Sequence, residues 1–317
     1  MSKLLHRMWS IIKLTFKYFS EKTVMKLSAA LAYYTIFSLP ALLIIIIWIS
    51  DVFYGREAIE GALYGQLSKF IGDNASVQIQ ETIKNASYSG ESYFATIVGV
   101  VTLVLGATSM FTEIQDSINF IWRLKTKPKK GKGWLLLIIN RLLSFSLVVS
   151  LGFLLLVSLL INGLLDIFID HLTKRFPDLT VYLVYAVNIL LTFIVTSFLF
   201  GIIFKVLPDA KVKWKDVRAG AFTTALLFMG GRFLIAYYLG QNKMSSAYGA
   251  AGSVIVLLLW VYYSAVILYL GACFTRAYAH ERGSGIYPNK YAVWVENVEV
   301  HSKESLDQHQ ESVSNKS

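Results

Sequence analysis

One cysteine, five prolines and five histidines are spread over 317 residues, and Asp, Glu, Lys and Arg together make up only 16% of the chain. A single thiol, Cys273, excludes a disulfide framework and a cysteine metal centre within the chain. The histidines His6, His171, His280, His301 and His309 are far apart and have neither HExxH nor HxHxDH spacing, so no metal site is expected. There is no Walker motif, which argues against ATP hydrolysis, and no cofactor is implied. With few prolines and one long apolar run after another, the chain reads as helices rather than as the alternating strands of a β-barrel.

What the chain has in excess is apolar surface. It is 55% hydrophobic with a mean hydropathy of +0.54, against roughly 45–50% apolar residues in soluble domains. A soluble fold must keep a polar exterior, so the surplus is expected to face lipid. Crossing about 30 Å of hydrocarbon takes roughly 20 helical residues. Six segments qualify: Ala29–Phe53, Tyr93 to about Trp122, Trp134 to about Leu165, Val181–Leu207, Ala219–Leu239, and Ser246 to about Tyr278. The first is too long for a signal-peptide core and is read as retained. The expected fold is all-α: a polytopic bundle of six transmembrane helices over 29–280, preceded by an amphipathic interfacial helix.

Basic residues orient the bundle. The N-terminal arm 1–28 carries Lys3, Arg7, Lys13, Lys17, Lys22 and Lys26, and the loop after the second segment carries Arg123, Lys125, Lys127, Lys129, Lys130 and Lys132. Lys211, Lys213, Lys215 and Arg218 follow the fourth segment, and Arg276 and Arg282 close the sixth. Six crossings place all four groups on one side, so both termini are expected in the cytoplasm. The net charge of +10 is then a topology signal lying against anionic lipid headgroups, not a nucleic-acid surface. In the arm, Leu5, Trp9, Ile12, Phe16 and Phe19 share one face and the basic residues the other, as on a membrane-surface helix. The extracytoplasmic loop 54–92 is the largest soluble element, and the polar tail 281–317 reads as disordered.

Ionisable groups inside hydrocarbon cost about 2.5–3.5 kcal/mol each on insertion scales, so each needs a reason. Arg232 falls near the middle of the fifth segment. Arg141 and Asp116 fall at similar depths on neighbouring antiparallel segments and could pair, with Glu113 about one turn deeper. These four form the candidate intramembrane polar site. A buried ion pair that merely orients two helices would account for Arg141 and Asp116 as well. Pro40 is expected to kink the first helix. Gly230, Gly231, Gly249 and Gly252, with Gly220, offer faces for close helix packing, and such faces leave room for a homo-oligomer.

Four stretches together resemble the YihY/BrkB family of bacterial inner-membrane proteins, once misnamed ribonuclease BN: SAALAYYTIFSLPALL (28–43), DSINFIWR (116–123), DVRAGAFTTALLF (216–228) and YGAAGSVIVLLLWVYYSAVILYLGA (248–272). The resemblance covers about residues 20–280. It implies a six-helix protein of the plasma (inner) membrane, with a transport or lipid-related envelope role and no assigned enzymatic activity. Many members carry Glu three residues before the position of Arg232 and Glu directly after the Gly-Ala of the last helix. Met229 and Cys273 stand there in this chain, so no acidic site is available at those positions. The expected function is thus a transporter or lipid-handling protein, with a non-catalytic scaffold as the alternative. A ribonuclease is disfavoured, because the loops on the basic side are short and no acid–base pair stands out on them. Substrate, direction and coupling ion are not legible in the sequence.

Overall fold

The computed structural model describes residues 2–21, 23–38, 93–127, 177–241, 250–282 and 284–296. The expected third membrane segment, most of the first with Pro40, the loop 54–92 and the tail beyond 296 lie outside them. Six helices occur among the described residues: α1 (Ser2–Glu21), α2 (24–38), α3 (Tyr93–Ile121), α4 (Pro177–Val206), α5 (Trp214–Gln241) and α6 (Ala250–Glu281). Two of them, through Ile189–Val206 and Val254–Glu281, are long and apolar enough to cross a membrane.

Beside an apolar core, the helices bury several hydroxyls and expose many large apolar side chains. Thr224 on α5 and Thr275 on α6 are fully buried, while Leu226 and Leu234 on α5 are 66% and 67% exposed. On α2, Ser28, Thr35 and Ser38 face inward, and Tyr33 and Phe37 face out. In water the exposed leucines and aromatics would forfeit part of the main driving force of folding. In hydrocarbon the arrangement costs little, because each of these five hydroxyls returns its hydrogen to the carbonyl one turn back. Ser28 bonds Val24 O at 2.9 Å, Thr35 bonds Leu31 O at 2.7 Å, and Thr224 bonds Gly220 O at 2.7 Å.

α5 packs between α4 and α6. Against α6 the contact is reciprocal: a Cβ at Gly220 would lie 1.9 Å from Thr275 Oγ1, and a Cβ at Gly271 would lie 1.9 Å from Thr224 Oγ1. Each helix thus lays a threonine on the other's glycine, four residues from its own. Gly231 is equally close, with Ile267 Cδ1 at 2.6 Å from its would-be Cβ. Gly230 corrects the expectation for the pair, since a Cβ there would meet nothing within 4 Å. Gly249 lies outside the described residues, and Gly252 is in α6 where side-chain surroundings are not described. Toward α4 the seam is aromatic, with Phe200 edge-on to Phe228 at 5.7 Å, and Phe228 in turn meets Trp260 of α6 edge-on at 6.3 Å.

One end of the bundle is capped. There α1 lies against α6 through Ile11, Thr15 and Tyr18, with Leu14 and Phe19 partly covered. Of the apolar face read from sequence, Leu5, Trp9, Ile12 and Phe16 stay exposed, so the docking face is the one beside it. The arm is also shorter than expected: α1 ends at Glu21, and Thr23 (φ 50) turns the chain into α2. The expectation of a disordered tail from 281 is corrected over 284–296, where β3 (Tyr287–Pro288) and β4 (Ala292–Trp294) form. β4 pairs antiparallel with β1 (Leu124–Thr126), Lys125 opposite Val293, and β3 pairs with β2 (Ala210–Lys211), Lys211 opposite Tyr287.

The reciprocal contact predicts that Gly271→Ala overpacks the α5–α6 seam by about 1–3 kcal/mol. Thermal unfolding in detergent should show a lowered midpoint, and adding Thr224→Ala should restore part of it. An unchanged midpoint for Gly271→Ala would contradict the geometry.

Candidate functional site

The capped end is organised around a residue that sequence reading did not single out. Asp209 follows Pro208 in the short turn after α4 and is 2% exposed. Its carboxylate accepts from Gln115 Nε2 (3.1 Å), Asn119 Nδ2 (2.9 Å) and Thr126 Oγ1 (2.8 Å). Its backbone takes part too: the Asp209 N–H donates to Asn119 Oδ1 at 2.9 Å, and its carbonyl accepts from the Asn289 N–H at 3.0 Å. Gln115 and Asn119 stand four residues apart, one face of α3, which is why both reach one carboxylate. A buried carboxylate is tolerable when its lone pairs are filled in this way. Burial first, and then the charge of Asp209, push the Tyr291 phenol above its ordinary value.

Two further bonds fasten α3 to α6. Trp122 Nε1 donates to Ala272 O at 3.0 Å, and the Arg276 guanidinium donates to Ile121 O at 2.6 Å, closing the end of α3. Arg276 also lies 4.1 Å over the ring of Tyr18, which ties α1 to the same point. Ser10 Oγ donates to Glu281 Oε1 at 2.6 Å, and Glu21 approaches Arg123 at 3.9 Å. Between these elements lies an open cavity of about 480 Å³, lined by Tyr18, Trp122, Arg123, Arg276, His280, Tyr287 and Trp294. Glu296 also lines it, but the two arginines outweigh that carboxylate, and with the aromatic rings they suit an anion carried on an apolar body. Around it Lys125, Lys127, Lys211, Lys213, Lys215, Arg218 and Arg282 are exposed, whereas Asp209 and Asp216 are buried. The surface at this end is therefore basic.

The intramembrane residues expected from sequence are placed in part. Glu113 and Asp116 lie on α3; Ser117 Oγ donates to Glu113 Oε1 at 3.3 Å, and the Asp116 side chain is exposed. Arg141 lies outside the described residues, and with it the expected pairing to Asp116. Arg232 is on α5, but its side chain is not among those described. Cys273 is free and buried in α6. Among the described residues no cluster of His, Cys, Asp and Glu could hold a metal ion.

Asp209→Ala strands three side-chain donors and should cost roughly 3 kcal/mol. Its unfolding midpoint in detergent should fall, and protease should cut within 284–296 far faster than in the parent. Because the folded Tyr291 value is raised, the stability from its neutral phenol is present below the ordinary tyrosine value of about 10 and is lost as pH climbs through the raised value. Cleavage within 284–296 should therefore rise at alkaline pH, and Tyr291→Phe should flatten that rise.

A family described as Virulence factor BrkB matches residues 15–292. A UPF0761 membrane protein of Haemophilus influenzae is 25% identical over 264 residues, covering 82% of this chain and 91% of its own. One from Tolumonas auensis is 27% identical over 259 residues, covering 78% of each. One from Saccharophagus degradans is 26% identical over 286 residues; 87% of this chain is covered, but the match spans only 61% of that longer relative. No solved structure matches. Long apolar helices with exposed apolar faces and a family match over most of the length agree: the chain is an integral membrane protein belonging to the BrkB family.

Proposed function

We propose that this protein is a non-enzymatic transporter that handles an anionic lipid or lipid-like substrate in the cell envelope. The observation that carries the reading is the uncovered apolar face of α1: Leu5, Met8, Trp9, Ile12 and Phe16 are exposed although the face beside it is docked on the bundle. An amphipathic helix so placed lies in a membrane surface with its basic residues toward the headgroups. It also brings the Arg276 cavity to headgroup depth, where an anion is drawn by the guanidinium while its acyl chains stay in hydrocarbon. In this reading the capped, basic end faces the cytoplasm. The chain crosses the plasma (inner) membrane six times with both termini inside, and its partners are anionic lipids, not nucleic acid.

The test is movement of a fluorescent phosphatidylglycerol between leaflets of proteoliposomes, compared with a phosphatidylcholine probe. Parent protein should accelerate the anionic probe selectively, and Arg232→Ala at matched incorporation should slow it by about tenfold, as expected for loss of a mid-membrane charge. Empty-liposome rates in every sample would contradict lipid movement and leave the scaffold reading in its place.

A further inference from the structure

A second open cavity of about 480 Å³ adjoins the Arg276 cavity and shares Gly285 and Tyr287 with it. Its size falls among ligand pockets, about 300–1,000 Å³. Lys205, Lys211 and Lys213 all line it, and no carboxylate is among the described residues that do. The fold gathers these three. From 210 to 213 burial alternates: Ala210 and Val212 are buried, Lys211 and Lys213 exposed, so both lysines leave the chain on one side. Lys205, in the last turn of α4, is half-buried and held in place. Its Nζ donates to Val212 O at 2.5 Å and stands 5.5 Å from the centre of the Trp214 ring. That spends one of its three hydrogens and leaves two. The pairing of β2 with β3 sets Lys211 opposite Tyr287, and Gly285 (φ 65) makes the turn that brings this segment back from α6. The carboxylate nearest in sequence, Asp209, is 2% exposed, and its oxygens are taken by Gln115, Asn119 and Thr126. Asp216 is buried as well. Three ammonium groups therefore surround one open volume, and the carboxylates beside them in sequence are turned into the protein.

We propose that Lys205, Lys211 and Lys213 bind a phosphate group carrying two or more negative charges, a phosphomonoester or a diphosphate. Lysine holds phosphate as a point charge and needs no planar fork to match. Three such charges outnumber the single one of a phosphodiester. The cavity thus suits a more highly charged group than its arginine-lined neighbour, where Glu296 offsets one guanidinium. Such a group has two sources at the basic end: the headgroup of a monoester phospholipid, or a soluble phosphate. The inference does not depend on lipid movement, because a scaffold with this cavity would bind the same group.

The experiment is thermal unfolding of the full chain in detergent, titrated with pyrophosphate against chloride at constant ionic strength. Pyrophosphate should raise the midpoint saturably. Lys211→Gln with Lys213→Gln removes two exposed charges and should fold; it should raise the half-saturating concentration by roughly tenfold. Lys125→Gln with Lys127→Gln removes the same charge from the surface outside the cavity and should leave that concentration unchanged. Equal midpoints in both salts would overturn the site, as would equal weakening in the two double variants, the sign of diffuse surface charge. Labelled pyrophosphate bound to the chain in phosphatidylcholine nanodiscs separates the two sources. Displacement by phosphatidic acid, and not by phosphatidylglycerol at matched surface charge, assigns a lipid monoester; retention with both lipids assigns a soluble phosphate. Equal displacement by the two would overturn the preference for a multiply charged group.

Discussion

Asp209, through its carboxylate and its backbone carbonyl, joins three stretches of chain that are far apart in sequence: the end of α3 with its following strand, the turn after α4, and the segment beyond α6. Each donor is polar and would be expensive to bury alone, and so would the carboxylate. Together they satisfy one another, which lets the capped end close around them. Once α3 and the chain beyond α6 meet at this point, Trp122 reaches Ala272 and Arg276 reaches Ile121. Those two bonds fix the register of α3 against α6, and register decides which side chains meet deeper in the bundle.

Away from that end a different constraint takes over. Between helices that face hydrocarbon there is little hydrophobic force to exploit, so close approach and satisfied hydroxyls must supply the packing. Gly220 with Thr224 and Gly271 with Thr275 do this in mirror fashion. Each threonine gives its hydrogen to its own helix and its bulk to the partner's glycine. Outward, leucine and phenylalanine need only be apolar. The same helix can therefore look unremarkable by composition while its inner face is defined to within an ångström.

This division explains what was legible in the sequence. Long apolar helices announce themselves because hydrocarbon demands about 20 such residues in a row, and α3, α4, α5 and α6 fall where expected. That the arm before them is helical was legible as well. Which face docks was not, because Ile11 and Tyr18 differ from Ile12 and Trp9 only in the neighbour they meet. Gly231 and Gly230 are adjacent and alike in sequence, but only Gly231 faces α6. Asp209 stood in a turn among lysines and read as one more loop charge; its partners Asn119 and Gln115 lie some 90 residues away. The strands after α6 are two and three residues long, too short for any period to register, and their polar neighbourhood suggested disorder. Arg276 and Arg282 were read as topology markers, yet Arg276 also caps α3 and holds α1.

The claim on which the rest turns is that the segment beyond α6 is folded back and fastened at Asp209. Hydrogen–deuterium exchange on the full chain in lipid nanodiscs reads it directly. The amides of Lys127, Asn289 and Val295 donate to Tyr291 O, Asp209 O and Arg123 O respectively. The account predicts that these three exchange slowly and together, at rates closer to those of α6 than to those of an open chain. Exchange of all three at the rate of an unstructured peptide, with α6 still protected, would contradict it.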